Sequence, residues 1–405
     1  MDLTLPDLEV PDPDATWAAS GAMALTGRGD GPPLLAPPSA VTGLLRLAGA
    51  LRELTPVSVD GPALLGERAA TAGFERHGDV SCGGATRLRP VADGWLAVTL
   101  ARPEDVDALA AWLGTELVPG ELAERLRSSP ADHLVERAAL LGLPVARLGE
   151  AAPPSLVNLA VPGEAPPRPS LEGTVVIDLS SLWAGPLCAH LLQLAGARVI
   201  KVESETRPDG ARNGPPAFFD LLHAGQESVV LDFRAECGRA ALRRLVASGD
   251  VVIEASRPRA LAQLGAGPEQ VLAEGRPQVW VSITGHGRSG PSARRVAFGD
   301  DAAVAGGLVV WDGSGPCFCA DAVADPAAGL LAAAAVAAGL RAGGRWLLDV
   351  TLSGTAAFLA GGGGRFDGRT DRPLPVAPPR ARPPAGAAPA FGAHTEAVLR
   401  ELGSR

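Results

Sequence analysis

The chain has 405 residues, 46% of them hydrophobic, enough to fill the cores of two or three ordinary domains without disulfide staples. A net charge of −9 offers no general basic field for nucleic acid, and no run of about 18 uncharged apolar residues reads as a membrane span. Five scattered cysteines and an acidic N-terminus, MDLTLPDLEVPDPD, predict a reduced, cytoplasmic protein that takes small-molecule ligands.

Residues 17–50 align without a gap on 303–336, setting Gly21 on Gly307, Gly27 on Gly313, Gly29 on Gly315 and Gly43-Leu44-Leu45 on Gly329-Leu330-Leu331. The same register pairs SAVTGLL with DPAAGLL, each opening an apolar helix, and sets Ser39 opposite Asp325. We read a partial duplication with a hydroxyl in one copy and a carboxylate in the other. Residues 75–150 offer a small domain with a strand at Asp93-Gly94-Trp95, preceded by Gly83-Gly84. Two Pro-rich stretches, 152–173 and 372–390, have the composition of extended linkers.

Between those stretches strand and helix signals alternate. TVVIDLS (174–180) leads to a helix from about Pro186 to Leu194, then RVIKVE (198–203), VVLDF (229–233), a helix around 237–248, VVIEAS (251–256) and VWVSIT (279–284). Apolar strands separated by amphipathic helices predict an α/β fold with a Rossmann-like, doubly wound parallel sheet. The first turn carries Leu182-Trp183-Ala184-Gly185-Pro186 where a dinucleotide fingerprint would carry G-x-G-x-x-G, so neither NAD nor FAD is inferred. Cys317-x-Cys319 has no second cysteine pair at zinc-like spacing, which favours buried thiols over a metal site. The run Gly361–Gly364, next to a Pro-rich stretch, reads as a hinge.

From about 173 to 340 the motifs occur in a recognisable order: VVIDLSSLWAGPLCAHLLQLAGARVIKVE, SVVLDFR, GDVVIEASRPRALAQLG, VSITGHGRSGP, and Asp325-Pro-Ala-Ala-Gly329 opening an alanine-rich helix. In that order they resemble the CaiB/BaiF family, the family III coenzyme A transferases. GGATRLRPVADGWLAVTL and the terminal PAFGAHTEAVLRELG resemble the small domain and the C-terminal end of the same family, in displaced order. The chain therefore resembles a fused, rearranged member. Residues 1–151 form a partial copy supplying the small α+β domain, 152–172 a Pro-rich linker, 173–365 the large domain, and 366–405 a Pro-rich linker with a C-terminal helix.

The resemblance implies that Asp325 is the catalytic nucleophile, that acyl-CoA and a carboxylic acid are the substrates, and that no cofactor is permanently bound. It implies CoA contacts at Leu182, Trp183, Ala184, Lys201, Ala255, Gly83 and Gly84. Ser204 and Glu254-Ala255-Ser256 depart from the family's CoA-contact residues, leaving Arg207, Arg212 or Arg257 to meet the phosphates. As family members pair, the chain is expected as a monomer or homodimer, with no metal, nucleic acid or membrane partner.

An aspartate of ordinary pKa is ionised at neutral pH and needs only positioning and amide donors to attack a thioester. On residue chemistry alone, Asp325 before Pro326 also reads as a helix N-cap. Asp300-Asp301 lies where racemases of the family carry a His-Asp pair. Lacking that histidine, the chain is expected to favour transfer over proton exchange. His286 reads as a loop residue. An acyl-CoA racemase, or a non-catalytic acyl-CoA-binding paralogue or partner subunit, remains the alternative.

Overall fold

A seven-stranded sheet forms the centre of this computed structural model, which describes residues 3–114, 121–151, 157–161, 163–274, 276–362 and 364–403. A small antiparallel sheet comes first in the chain: β1 (Thr86–Val91), β2 (Gly94–Thr99) and β3 (Val145–Arg147). The central sheet is built from β4 (Val157–Val161), β5 (Val175–Asp178), β6 (Arg198–Ser204), β7 (Glu227–Leu231), β8 (Val251–Glu254) and β9 (Val279–Thr284), then, after a hairpin of β10 (Val309–Trp311) and β11 (Pro316–Phe318), β12 (Arg345–Thr351). Its spatial order is β4-β12-β9-β8-β5-β6-β7, and all but the edge strand β4 run parallel.

Both faces of the parallel strands are covered, so their sequences are nearly continuously apolar. Val176, Val199, Ile253 and Val281 face one core, with the helices Ala184–Leu194 and Ala324–Ala342; Ile177, Ile200, Val252 and Trp280 face the other, with Glu236–Ser248. Connections leave β5 toward β6 and β7 on one side and return at β8 toward β9 and β12 on the other. The winding therefore reverses between β5 and β8, and the carboxyl ends of those strands are the place where doubly wound folds bind ligands.

The first segment folds back onto this framework. Its helix Pro38–Leu54 shares the core of Ala324–Ala342. The small sheet and the helix Ala131–Leu141 enclose a separate core around Leu96, Trp112 and Leu134, giving the smaller α+β domain. That domain is tied to the helix Gly299–Ala305 by the Gly149 and Ala151 amides, which donate to the Val304 and Ala305 carbonyls at 3.0 and 2.8 Å.

Both expected linkers have further structure. The first contains β4, paired antiparallel with β12; residues 152–156 and 162 lie outside the described residues. The second is extended, as its prolines require. It is nevertheless docked along the first segment: Ala377 donates to Ala18 at 2.9 Å, Arg372 pairs with Asp12 and Asp14, and Arg382 grips buried Glu67 at 2.5 and 3.0 Å. His394 and Thr395 then hydrogen-bond to Ser228 and Val230 on β7, laying the helix Thr395–Gly403 beside that edge. No helix among the described residues is long and apolar enough to cross a membrane.

Candidate active site

The loop after β5 lies at this switch point. Gly185 is demanded there because a Cβ would stand 2.1 Å from the Ser180 hydroxyl. Leu182 adopts φ of 72°, rare for a branched side chain, and its amide is held by Asp209 at 2.9 Å. Trp183 is buried, with its ring against Phe218, while Leu182 remains partly exposed at the rim. Lys201 is closed off from a ligand: it is 2% exposed, 2.9 Å from Asp209 and 3.7 Å from Asp178, and it donates to the Ser180 carbonyl at 2.7 Å. Its ammonium thus supports the Leu182 turn from beneath, through Asp209.

Arg207, Ala255 and Arg257 are exposed beyond β6 and β8. Arg257 lies against Gly142 of the small domain, where a Cβ would be 3.3 Å from its guanidinium. Arg212 is committed elsewhere, chelating Glu203 at 2.6 and 2.9 Å beneath the Phe219 ring. Gly83 and Gly84 form the turn entering β1. Gly84 has φ of 79°, and a Cβ on Gly83 would be 3.6 Å from both Arg68 and the Phe74 ring.

Asp325 stands at the other side of this place. A Cβ on Gly329 would be 2.5 Å from the Ala184 carbonyl, so the first turn of the helix Ala324–Ala342 lies beside the Trp183-Ala184 turn. Asp325 is not its N-cap, which is Val323 without a side-chain bond; it sits within the first turn. Its carboxylate accepts instead from the Gly299 amide and fills the space a Gly299 side chain would need, at 2.6 Å. The group is partly exposed, and its enclosure pushes the carboxyl up to about 7. Arg68 opposes that rise, whereas Asp300 and Asp321 add to it.

Those neighbours form a cluster drawn from three parts of the chain. Arg68 chelates fully buried Asp321 at 2.5 and 2.8 Å, with its guanidinium over the Trp183 and Phe74 rings. Asp300 accepts from the Ala322 amide at 3.0 Å and from Ser81; burial and then Asp321 push it up to about 6. Asp301 faces away, toward Thr99 and the Phe298 amide, and burial raises it to about 7.

Arg68, Ser81 and Asp321 were missed from sequence. Asp321, four residues before Asp325, carried the one usable signal. Arg68 lies more than 250 residues from its partner, in a segment without a motif.

His286 is half-buried near Arg295, its ring pushed down to about 3 by burial. Cys317 and Cys319 are buried thiols around β11. Ser39 donates to the Leu359 carbonyl at 2.8 Å. Gly361 caps the helix Leu352–Ala360 in the left-handed conformation. Beyond it, Gly362, Gly364, Arg365 and Trp311 line a cavity of 280 Å³ with Gly306 and Gly307, at the opposite end of the helix Gly299–Ala305 from Asp325.

Residues 171–359 match the sequence model of CoA-transferase family III. The succinyl-CoA–D-citramalate CoA-transferase of Chloroflexus aurantiacus is 33% identical over 152 residues, 36% of this chain and 38% of that protein. The human alpha-methylacyl-CoA racemase is 35% identical over 125 residues, 31% of each chain. A CaiB/BaiF family protein from Brucella suis, a crystal structure, is 32% identical with a TM-score of 0.44, covering 49% of this chain and 56% of that one. The chain thus spans well under two thirds of the length of the curated relatives it matches.

Proposed function

We propose that this chain, whose residues 171–359 match the sequence model of CoA-transferase family III, moves coenzyme A from an acyl-CoA donor to a carboxylic acid, with Asp325 as the nucleophile. The observation that carries this reading is the position of Asp325. Its carboxylate lies beside the turn at the topological switch point, where doubly wound sheets bind ligands, and receives an amide hydrogen bond from Gly299.

Ionised Asp325 attacks the thioester carbonyl, the CoA thiolate leaves, and a mixed anhydride forms. The thiolate then attacks the aspartyl carbonyl and releases the donor acid, leaving an aspartyl-CoA thioester. An incoming carboxylate opens that thioester through a second anhydride, and the thiolate takes the new acyl group, returning Asp325 to its carboxylate. Splitting the transfer in this way replaces one difficult step by easier ones. CoA lies across the rim formed by Leu182, Ala255 and Arg257, above the buried Trp183 and Ala184, with Arg207 toward the phosphates and Gly83-Gly84 facing the acyl group. Lys201 serves indirectly, as support for the Leu182 turn.

Incubation with an acyl-CoA and hydroxylamine, followed by peptide mass spectrometry, tests the reading. Modification at Asp325, absent in Asp325→Asn, is the expected outcome. A wild-type protein that binds CoA but is never modified there would be an acyl-CoA-binding paralogue instead.

A second reading, α-proton exchange on an acyl-CoA, is favoured by one feature: Asp300 and Asp325 both titrate near neutrality, where an acid–base pair works best. Uptake of solvent deuterium at Cα of a 2-methylacyl-CoA without CoA transfer would select it.

We also read residues 1–151 as a partial second copy of the family subunit, fused ahead of the first. The helix pairs Pro13–Ser20 with Gly299–Ala305 and Pro38–Leu54 with Ala324–Ala342 fall in the register of the sequence repeat, which supports it. Ser39 then occupies the position of the nucleophile without a base to activate it, so one working site per chain is expected.

A further inference from the structure

We infer that Arg68 is the positioning residue of this site: by gripping Asp321 it holds the strained turn that presents Asp325, and it sets the charge that Asp325 carries. The inference rests on the transferase reading only for what that charge is used for. The geometry beneath it is independent.

The turn before the helix Ala324–Ala342 is held in an unfavourable shape. Ala320 and Ala322 have φ of 56° and 44°, in the left-handed region that alanine avoids. Such residues persist only where their surroundings over-determine them. Here the Ala320 amide is bound by Thr26 Oγ1 at 3.0 Å and the Ala322 amide by Asp300 Oδ1 at 3.0 Å. Between them, Arg68 Nε and Nη2 take both oxygens of Asp321 at 2.8 and 2.5 Å. The Ala322 carbonyl then accepts from the Asp325 amide at 2.9 Å, so the turn passes its position directly to Asp325. A bidentate guanidinium fixes both direction and distance, which a lysine ammonium does not.

Arg68 is itself fixed. It belongs to the helix Glu67–Ala72, whose first residue is clamped by Arg382, and its guanidinium lies 5.4 Å from the centre of the Trp183 ring and 5.6 Å from that of Phe74. Asp325 faces Arg68 from the helix Ala324–Ala342, Asp300 from the helix Gly299–Ala305, and Asp321 from the turn; Asp301 and Cys82 lie behind Asp300. One cation therefore stands among three carboxylates. Its removal leaves their mutual repulsion unopposed, whereas neutralising Asp321 removes part of the repulsion and leaves the cation to the other two.

The test titrates the Asp325 carboxyl directly, by carbon-13 NMR of the full chain labelled at aspartate Cγ, with the resonance assigned by its loss in Asp325→Asn. Arg68→Met is expected to raise the Asp325 midpoint by at least about one pH unit, Arg68→Lys to restore it in part, and Asp321→Asn to lower it. A folded Arg68→Met with an unmoved midpoint overturns the inference. If Arg68→Met does not fold, Asp321→Asn decides: a midpoint that rises or stays overturns it, and one that falls supports it. Failure of the transferase reading looks different, since a chain that titrates as stated but is never modified at Asp325 by acyl-CoA retains Arg68 in its role and loses only the reaction.

Discussion

Asp325, the proposed nucleophile, has a carboxyl that burial pushes up to about 7, so only about half of it is charged at neutrality. The expectation of a fully ionised aspartate is therefore corrected by the fold. With the carboxylate as the attacking form, modification of Asp325 by acyl-CoA should rise about tenfold per pH unit below 7 and level off above about pH 8. A rate that stays flat from pH 8 down to pH 5 would show that Asp325 ionises normally. Asp301 offers a stability test free of catalysis. Its folded carboxyl is raised to about 7 against an ordinary 3.8, so the folded state binds the proton more tightly. The stability this confers is complete below pH 3.8 and is lost as pH rises through 7. Asp301→Asn keeps an oxygen to accept from Thr99 and the Phe298 amide but cannot ionise. It should stabilise the chain by up to about 4 kcal/mol at pH 8 and far less at pH 4, as read by urea unfolding at the two pH values.

At the scale of elements, the contact between the helices Ala184–Leu194 and Ala324–Ala342 sets where Asp325 stands. Gly329 permits it, since a Cβ there would meet the Ala184 carbonyl at 2.5 Å, with Leu187 next at 3.1 Å. Gly329→Ala should force the helices apart and cost about 1–3 kcal/mol of stability. Modification of Asp325 should fall as well, because a shift of about 1 Å is enough to spoil attack geometry. Unchanged stability and labelling would mean that the contact relaxes freely. The strands β5 to β9 were legible because strands buried on both faces are apolar throughout. The strand β4 was not: five residues flanked by prolines are lost when composition is averaged over the whole stretch. The N-cap reading of Asp325 failed for a related reason. The sequence Asp-Pro marks a helix start, but the Ala320–Ala322 turn starts this helix at Ala324 and carries Asp325 into its first turn.

Across the whole molecule, the C-terminal strap joins the two halves. It runs over the first segment, contributes Arg382 to buried Glu67, and ends in a helix beside β7. Arg382→Ala would strand the Glu67 carboxylate away from water, and we expect a loss of about 1–3 kcal/mol, discounted because the arginine itself is partly exposed. Faster proteolysis within 372–390 should accompany it. A variant that matches the wild type in both respects would show the strap to be a passive linker.

By itself the amino-acid sequence determined the parallel sheet and the turn at Leu182–Pro186 that follows its first strand, and it singled out Asp325 as the candidate nucleophile, because these depend on hydrophobic period and on motifs contiguous in the chain. Tertiary structure alone decided that Lys201 is a buried support, that Asp325 shares its surroundings with Asp300 and Asp321, and that Arg68 reaches them from the first segment. Charges interact through space, over a few ångströms in a low-dielectric interior, whatever their separation along the chain. Arg68 and Asp321 have no local pattern that predicts their meeting, and only the folding of the first segment onto the second brings them to 2.5 Å.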